Sequence, residues 1–278
     1  MPELPEVETI AANLREGNPN QPSLIGKSIQ QAHLLWERTL ATPSASEFYS
    51  WIPGQSILDI GRRGKFIVFE LSRHTLLIHL RMSGDLLVEP VDAVIAPHHR
   101  LVIDLDGGIR LAFNDARKFG RVWLTENPSG VLAALGPEPL DESFRPLDLH
   151  QRLQAHRRQL KPLLLDQSFL AGLGNIYADE ALHLAGIHPL TQSNMLSLEK
   201  SERLWQGIRE VLQEGILRNG ASIDWVYRGG DFQNYFRVYQ RTGNPCYNCG
   251  TPIERLVVGQ RGTHFCPNCQ PFDGRRHS

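Results

Sequence analysis

The sequence predicts an α+β protein: an N-terminal helix with an antiparallel β-sandwich, then a helical region, then a short-stranded C-terminal segment. Three observations predict it. Helical spacing of apolar residues appears at the very start and again in the second half. Between about 24 and 125, short β-branched or aromatic runs alternate with turn residues. All four cysteines fall near the C-terminus, as two C-x2-C pairs.

The elements follow in order. Val7, Ile10, Ala11 and Leu14 place a helix over 5–16, with Gly17 as its C-terminal cap. Lys65–Leu71, Thr75–Leu80, Arg100–Leu105, Ile109–Phe113 and Arg121–Leu124 read as strands. Asp106-Gly107-Gly108 between two of them signals a tight hairpin. Gly136, Pro137, Pro139 and Pro146 mark a linker. Beyond it, Asn175 is positioned to cap a helix over 176–185, stopped by Gly186 and Pro189. Leu204, Ile208, Val211, Leu212 and Ile216 line one face of a helix ending at Gly220. The expected domains are 1–135, a linker over 136–147, 148–236 and 237–278.

Composition narrows the class. With 41% hydrophobic and 21% charged residues, the chain can build sizeable cores. No apolar run approaches the ~20 residues of a membrane span, and no secretory signal is visible, so a cytoplasmic protein is expected. The net charge of −1 is not the usual basic footprint of a nucleic-acid binder. Binding needs only a local stripe, however. Glu3, Glu6 and Glu8 crowd the start, whereas Arg62, Arg63 and Lys65 cluster, as do Arg157, Arg158 and Lys161, and Arg255, Arg261, Arg275 and Arg276. Each cluster taken singly also suits a solvated face.

Cys246-x2-Cys249 and Cys266-x2-Cys269 enclose sixteen residues, 250–265, the spacing of a four-thiolate zinc site around a β-hairpin. Two disulfides or a redox pair are the rivals. A reducing compartment disfavours the first, and the missing strand-to-helix unit the second. Four thiolates fill the coordination sphere, so the expected cofactor is one structural zinc, with no redox or nucleotide cofactor.

Two further motifs suggest chemistry. Without Met1, Pro2 carries a secondary amine at the chain terminus, beside the Glu3 carboxylate. A terminal amine has a pKa of roughly 8, so a useful fraction is nucleophilic near neutrality, and a proline iminium keeps its charge as an electron sink. The same residues also suit an ordinary helix start. Leu170-Ala171-Gly172-Leu173-Gly174-Asn175 is a glycine turn running into a helix N-terminus, where exposed amides favour a phosphate. It follows no strand, so a dinucleotide-binding fingerprint is excluded.

Together these pieces resemble the formamidopyrimidine-DNA glycosylases, in the wider family that includes endonuclease VIII. The resemblance rests on residues 1–8, on Leu173–Glu180 with Ala185-Gly186-Ile187-His188-Pro189, on Gln260-Arg261-Gly262-Thr263, and on the four cysteines, all in the family's order. It implies a helix–two-turns–helix domain and a zinc-finger hairpin, with DNA lying in a cleft between two lobes. Pro2 then matches the Schiff-base nucleophile, Glu3 the proton donor and acceptor, Lys65 the strand lysine of β-elimination, and Arg261 the finger arginine of δ-elimination. His98, Arg117, Lys161 and Asn175 fall at DNA-contacting positions. Met82, Arg117 and Phe119 match the side chains that fill the gap left by an everted base, a step costing a few kcal/mol. The partner implied is double-stranded DNA carrying a damaged base, bound by a monomer.

The chain departs from the family in two places. Asp115-Ala116-Arg117-Lys118-Phe119-Gly120 stands where such enzymes usually read Asp-Pro-Arg-Arg-Phe-Gly, keeping Arg117 and Phe119. The stretch 221–236 is shorter than the loop that usually covers the everted base. The activity implied is excision of oxidised purines, 8-oxoguanine and formamidopyrimidines, followed by β,δ-elimination. The alternatives are an endonuclease VIII-like enzyme for oxidised pyrimidines and a non-catalytic DNA-binding zinc protein.

Overall fold

A computed structural model describes residues 1–222 and 229–272. The middle of the 221–236 stretch (223–228), the end of the 271–278 tail (273–278), and Arg275 and Arg276 with it, lie outside the described residues. The chain divides into two compact units, Met1–Ala133 with Ala221–Gly230, and Ala134–Gly220 with Asp231–Ser278.

The first unit opens with helix α1, Leu4–Glu16, which carries Pro5 in its first turn and ends at Gly17 with φ +76°. Its apolar stripe, Val7, Ile10, Ala11 and Leu14, is buried, and the helix packs on two strands of the larger sheet. Along the chain follow β1 (Ile29–Leu34), β2 (Leu40–Thr42), α2 (Ala45–Trp51), β3 (Ile57–Arg63), β4 (Phe66–Leu71), β5 (Thr75–His79), β6 (Gly84–Pro90), β7 (His99–Leu105), β8 (Ile109–Asp115), β9 (Arg121–Thr125) and the short α3 (Ser129–Leu132). One sheet runs β1-β7-β8-β6 and the other β2-β9-β5-β4-β3. Ile103, Leu111 and Phe113 of the first share one core with Ile60, Phe69, Ile78 and Val122 of the second and with α1, which makes a two-layer sandwich. The expected antiparallel pairing holds except at the edge, where β2 lies parallel to β9, Leu40 opposite Val122. The β7–β8 turn uses Gly107 and Gly108, both at positive φ.

The second unit holds α4 (Pro146–Gln154), α5 (Leu160–Leu164), α6 (Asn175–Ala185), α7 (Leu198–Leu217) and the hairpin β10 (Glu254–Val258) and β11 (Arg261–Phe265). Helices α6 and α7 meet at Gly207, where a Cβ would come 3.0 Å from the Ala181 carbonyl. Tyr177 of α6, fully buried, stacks on Phe232 at 5.1 Å between centroids. Residues expected as linker are pinned: Gly136 N–H donates to Gln167 O (2.8 Å) and Ala171 N–H to Pro137 O (3.0 Å). A side chain at Gly136 would strike the Ser168–Phe169 backbone. Among the described residues, no helix is long and apolar enough to cross a membrane.

Candidate functional site

In the first unit, the chain start is held from within. Pro2 and Glu3 are buried, Glu3 being 3% exposed, while Met1 before them is exposed. The Glu3 N–H donates to Glu6 Oε2 at 2.7 Å, and the other oxygen of the same buried carboxylate accepts from the Ala221 N–H at 2.8 Å. Glu6 thus joins the residues before α1 to the first residue of a stretch more than two hundred positions away. The spacing Glu3…Glu6 marks a helix start, but nothing in it discloses Ala221.

Lys65 sits in the two-residue turn between β3 and β4, after Gly64 at φ +57°. Glu8 of α1 accepts from Arg62 Nε at 2.9 Å, and Arg62 Nη1 donates to Gly64 O at 3.1 Å, which braces that turn from the helix. Across the ladder, Phe66 pairs with His79. Burial pushes the His79 imidazole down to about 3, and the charges of Arg81 and Lys65 add to the effect. Its Nδ1 accepts from the Arg81 N–H at 3.0 Å, so His79 is a neutral ring near a buried ammonium. This functional candidate had no sequence signal beyond a histidine at a strand end.

Three separated segments converge on Asp115, the last residue of β8. Its carboxylate accepts from the Ser83 hydroxyl, from Arg117 N–H (3.2 Å) and from Gly120 N–H (2.7 Å). Its backbone carbonyl accepts from Arg100 Nε at 2.7 Å, and its N–H donates to His98 O at 2.8 Å. His98, Met82, Arg117 and Phe119 are thereby brought onto one frame, and all four are exposed. Gly84 is obligatory there, since a Cβ would come 2.5 Å from Leu80 O. The Arg117 guanidinium lies over the Phe119 ring at 5.0 Å, and Lys118 Nζ over Trp36 at 4.0 Å. Exposed apolar tips on braced loops are what insertion between bases requires.

In the second unit, the glycine turn is folded by Gln167. Its Oε1 accepts from Gly172 N–H (2.9 Å), and its amide donates to Leu173 O (2.8 Å). Helix α6 begins at Asn175 itself with Gly174 as N-cap, which corrects the expectation that the Asn175 side chain caps it. That amide instead donates to Gly262 O at 3.1 Å, beside exposed Arg261 on the hairpin. The turn Gly259-Gln260 takes positive φ at both residues, and a Cβ at Gly259 would meet Pro162 at 3.0 Å. Lys161 requires a second correction. It is 0% exposed, its ammonium paired with Asp179 and donating to Asn175 O at 3.1 Å. Its ammonium therefore faces Asp179 and Asn175 and not solvent.

Helix α6 also carries the finger. Asp179 accepts from the His264 N–H (2.9 Å), and buried Glu180 accepts from the N–H groups of Arg237, Val238 and Tyr239 at 2.8, 2.9 and 2.8 Å. Burial raises the Glu180 carboxyl against those donors. The cysteine sulfurs lie within 4.8 Å of one another, and none is in a disulfide. Tetrahedral zinc with bonds of about 2.3 Å sets sulfurs about 3.8 Å apart. Here Cys246–Cys269, Cys249–Cys266 and Cys249–Cys269 are 3.9, 3.5 and 3.5 Å apart, so the four fit one structural zinc. Hydrogen bonds from Thr251 and Asn268 bring the Cys249 thiol down to about 6.

Comparison with known proteins agrees along the whole length. Residues 1–122 match the formamidopyrimidine-DNA glycosylase N-terminal domain, 135–226 the formamidopyrimidine-DNA glycosylase H2TH domain, and 243–271 the zinc finger found in FPG and IleRS. The chain is 50% identical to a formamidopyrimidine-DNA glycosylase of Chloroflexus aurantiacus, over 97% of this chain and 98% of that one. It is 40% identical to the same-named protein of Enterococcus faecalis, over 99% of each. Its fold superposes with a TM-score of 0.89 on Lactococcus lactis Fpg (MutM) in complex with Fapy-dG-containing DNA, at 35% identity over 97% of this chain and all of that one. A MutM complex with carbocyclic 8-oxo-G DNA matches with a TM-score of 0.89 at 36% identity, over 98% and 100%.

Proposed function

The chain belongs to the formamidopyrimidine-DNA glycosylase family, and from that premise we propose how its own residues divide the work. It is a DNA glycosylase acting on damaged bases, with AP lyase activity, and its partner is DNA carrying such a base. The alternative of a non-catalytic zinc protein falls with the match of residues 1–122 to the glycosylase N-terminal domain.

Once Met1 is removed, the Pro2 nitrogen attacks C1′ of an everted nucleotide, and the bond from C1′ to the base breaks. The base leaves with the proton that the Pro2 nitrogen gives up, and Glu3 then protonates O4′ as the C1′–O4′ bond opens. The nitrogen lone pair closes onto C1′ to give a ring-opened iminium that draws electrons from C2′. Glu3 takes the C2′ proton, and the C3′–O bond breaks to release one phosphate. Loss of a second proton expels the C5′ oxygen with the other phosphate. Lys65 steadies the phosphate during the first elimination and Arg261 during the second. Met82 and Phe119 fill the vacated stack, and Arg117 offers donors to the orphaned base. His98 and Asn175 contact phosphates. Zinc keeps the hairpin folded and takes no part in bond making. The preferred lesions are oxidised purines, 8-oxoguanine and formamidopyrimidines, and the enzyme works as a cytoplasmic monomer beside its DNA.

The observation that carries this reading is the buried Pro2–Glu3 pair, with the Glu3 amide fastened to Glu6. Sodium borohydride should trap a covalent adduct between the mature protein and an 8-oxoguanine duplex. An undiminished adduct with Pro2→Gly would falsify the assignment. An 8-oxoguanine duplex should be cut faster than a thymine-glycol one; the reverse order would favour the endonuclease VIII-like reading.

A further inference from the structure

One buried side chain of α6 lies against a cysteine of the finger. His183 is 3% exposed, and its Nε2 lies 3.5 Å from Cys246 Sγ, itself on a residue 3% exposed. Its Nδ1 is buried and has no hydrogen-bond partner among the described residues. The two nitrogens identify the tautomer. An Nδ1–H form would strand a donor in the interior and turn a lone pair toward a thiolate. The Nε2–H form gives the sulfur a donor and leaves only an acceptor unfilled, which is the lesser cost.

We propose that His183 donates its Nε2–H to the Cys246 thiolate of the zinc site and so controls how firmly that site holds its metal. The sulfur set on which this depends fits zinc by its spacing. Two of the other thiolates draw donors from the finger itself: Cys249 from Thr251 and Asn268, and Cys266 from the Cys269 N–H at 3.4 Å. For Cys246 the donor comes from outside the finger, sixty-three residues earlier in the chain. A hydrogen bond to a metal-bound thiolate withdraws charge from sulfur, so the thiolate attacks electrophiles more slowly. It also ties α6 to the metal site, beside the tethers from Asp179 and Glu180. Loss of such an outer partner typically costs about 10–100-fold in metal affinity. The proposal is independent of Pro2 chemistry, because metal retention is read without DNA.

The test compares full-length zinc-loaded protein with His183→Leu, which removes the donor, and His183→Gln, whose amide can replace it. Zinc released by N-ethylmaleimide is followed with 4-(2-pyridylazo)resorcinol. His183→Leu should release zinc about 10-fold faster or more, and His183→Gln should restore the wild-type rate. In cobalt-substituted protein, the thiolate-to-cobalt charge-transfer band should move to lower energy in the leucine variant only. Wild-type release and an unmoved band in His183→Leu overturn the proposal, as does a glutamine variant no slower than leucine. If the leucine variant does not fold, nitrogen-15 NMR of wild-type holoprotein decides: a protonated Nε2 supports the assignment and an unprotonated one overturns it.

Discussion

The Ser83 hydroxyl donates to the Asp115 carboxylate in a fully buried hydrogen bond spanning thirty-two residues of sequence. Because Asp115 also accepts from the N–H groups of Arg117 and Gly120, the loop bearing Met82 and the loop bearing Arg117 and Phe119 are anchored to one carboxylate. Ser83→Ala should therefore cost about 1 kcal/mol of stability by thermal unfolding. It should weaken binding to a lesion duplex more than to an undamaged one. Equal losses on both duplexes would separate Ser83 from the wedge.

Glu6 bonds to Glu3 at one oxygen and to Ala221 at the other. Glu6→Ala strands two buried N–H groups and should cost about 2–3 kcal/mol in denaturant titrations. Borohydride trapping should fall with it, whereas an adduct yield equal to wild type at matched folded fraction would show that Glu3 is positioned without Glu6.

Lys161 and Arg261 should part company in salt titrations. With Arg261 proposed to grip a phosphate, Arg261→Gln should lower the slope of log K against log salt by about 1. Lys161→Gln should leave the slope unchanged. It should lower stability by about 3–5 kcal/mol, since Asp179 keeps a buried charge without its partner. A reduced slope for folded Lys161→Gln would return that lysine to the DNA.

His79 makes stability pH-dependent in a defined direction. Its folded value, about 3, lies below the ordinary 6.5, so between those limits the unfolded chain binds a proton that the folded one does not. Stability must then fall as pH drops from about 6.5 toward 3, by up to about 1.4 kcal/mol per pH unit from this group. Denaturant melts of wild type and His79→Gln should show a shallower decline for the variant in that window. Parallel curves would mean that His79 titrates freely.

Removing zinc should release the hairpin that carries Arg261. Cys266→Ser, or treatment with a chelator, is expected to abolish tight DNA binding while the first unit stays folded. Circular dichroism with a duplex-binding assay checks both at once, and unaltered affinity in Cys266→Ser would remove the finger from recognition.

Legibility followed locality. Helix α1 and its Gly17 stop, the Gly107-Gly108 hairpin and the cysteine spacing were readable because each depends on neighbours a few residues apart. Strands β1, β3 and β6 were not read from the sequence. The first two carry a register shift, at Ile29/Gln31 and Ile57/Asp59, that breaks the alternation by which a strand is recognised. The β2–β9 parallel pair also escaped, because pairing direction leaves no mark in a three-residue strand. Pro2, Glu3, Arg117 and Arg261 were visible as motif residues. Glu6 as a latch, Asp115 as a hub, Gln167 under the glycine turn and neutral His79 were not.

By itself the sequence determined which side chains are available and the local segments that present them: a proline start, a glycine turn before a helix, and two thiolate pairs. Tertiary structure alone decided which of those groups are spent on each other. Lys161 reads from sequence as a basic residue in a basic cluster, yet it is buried against Asp179, and Asn175 reads as a cap, yet it binds Gly262. Charge and hydrogen-bonding capacity belong to the residue type. Whether they face solvent or a partner tens of residues away depends on which surfaces the packed core brings together, and no local spacing encodes that.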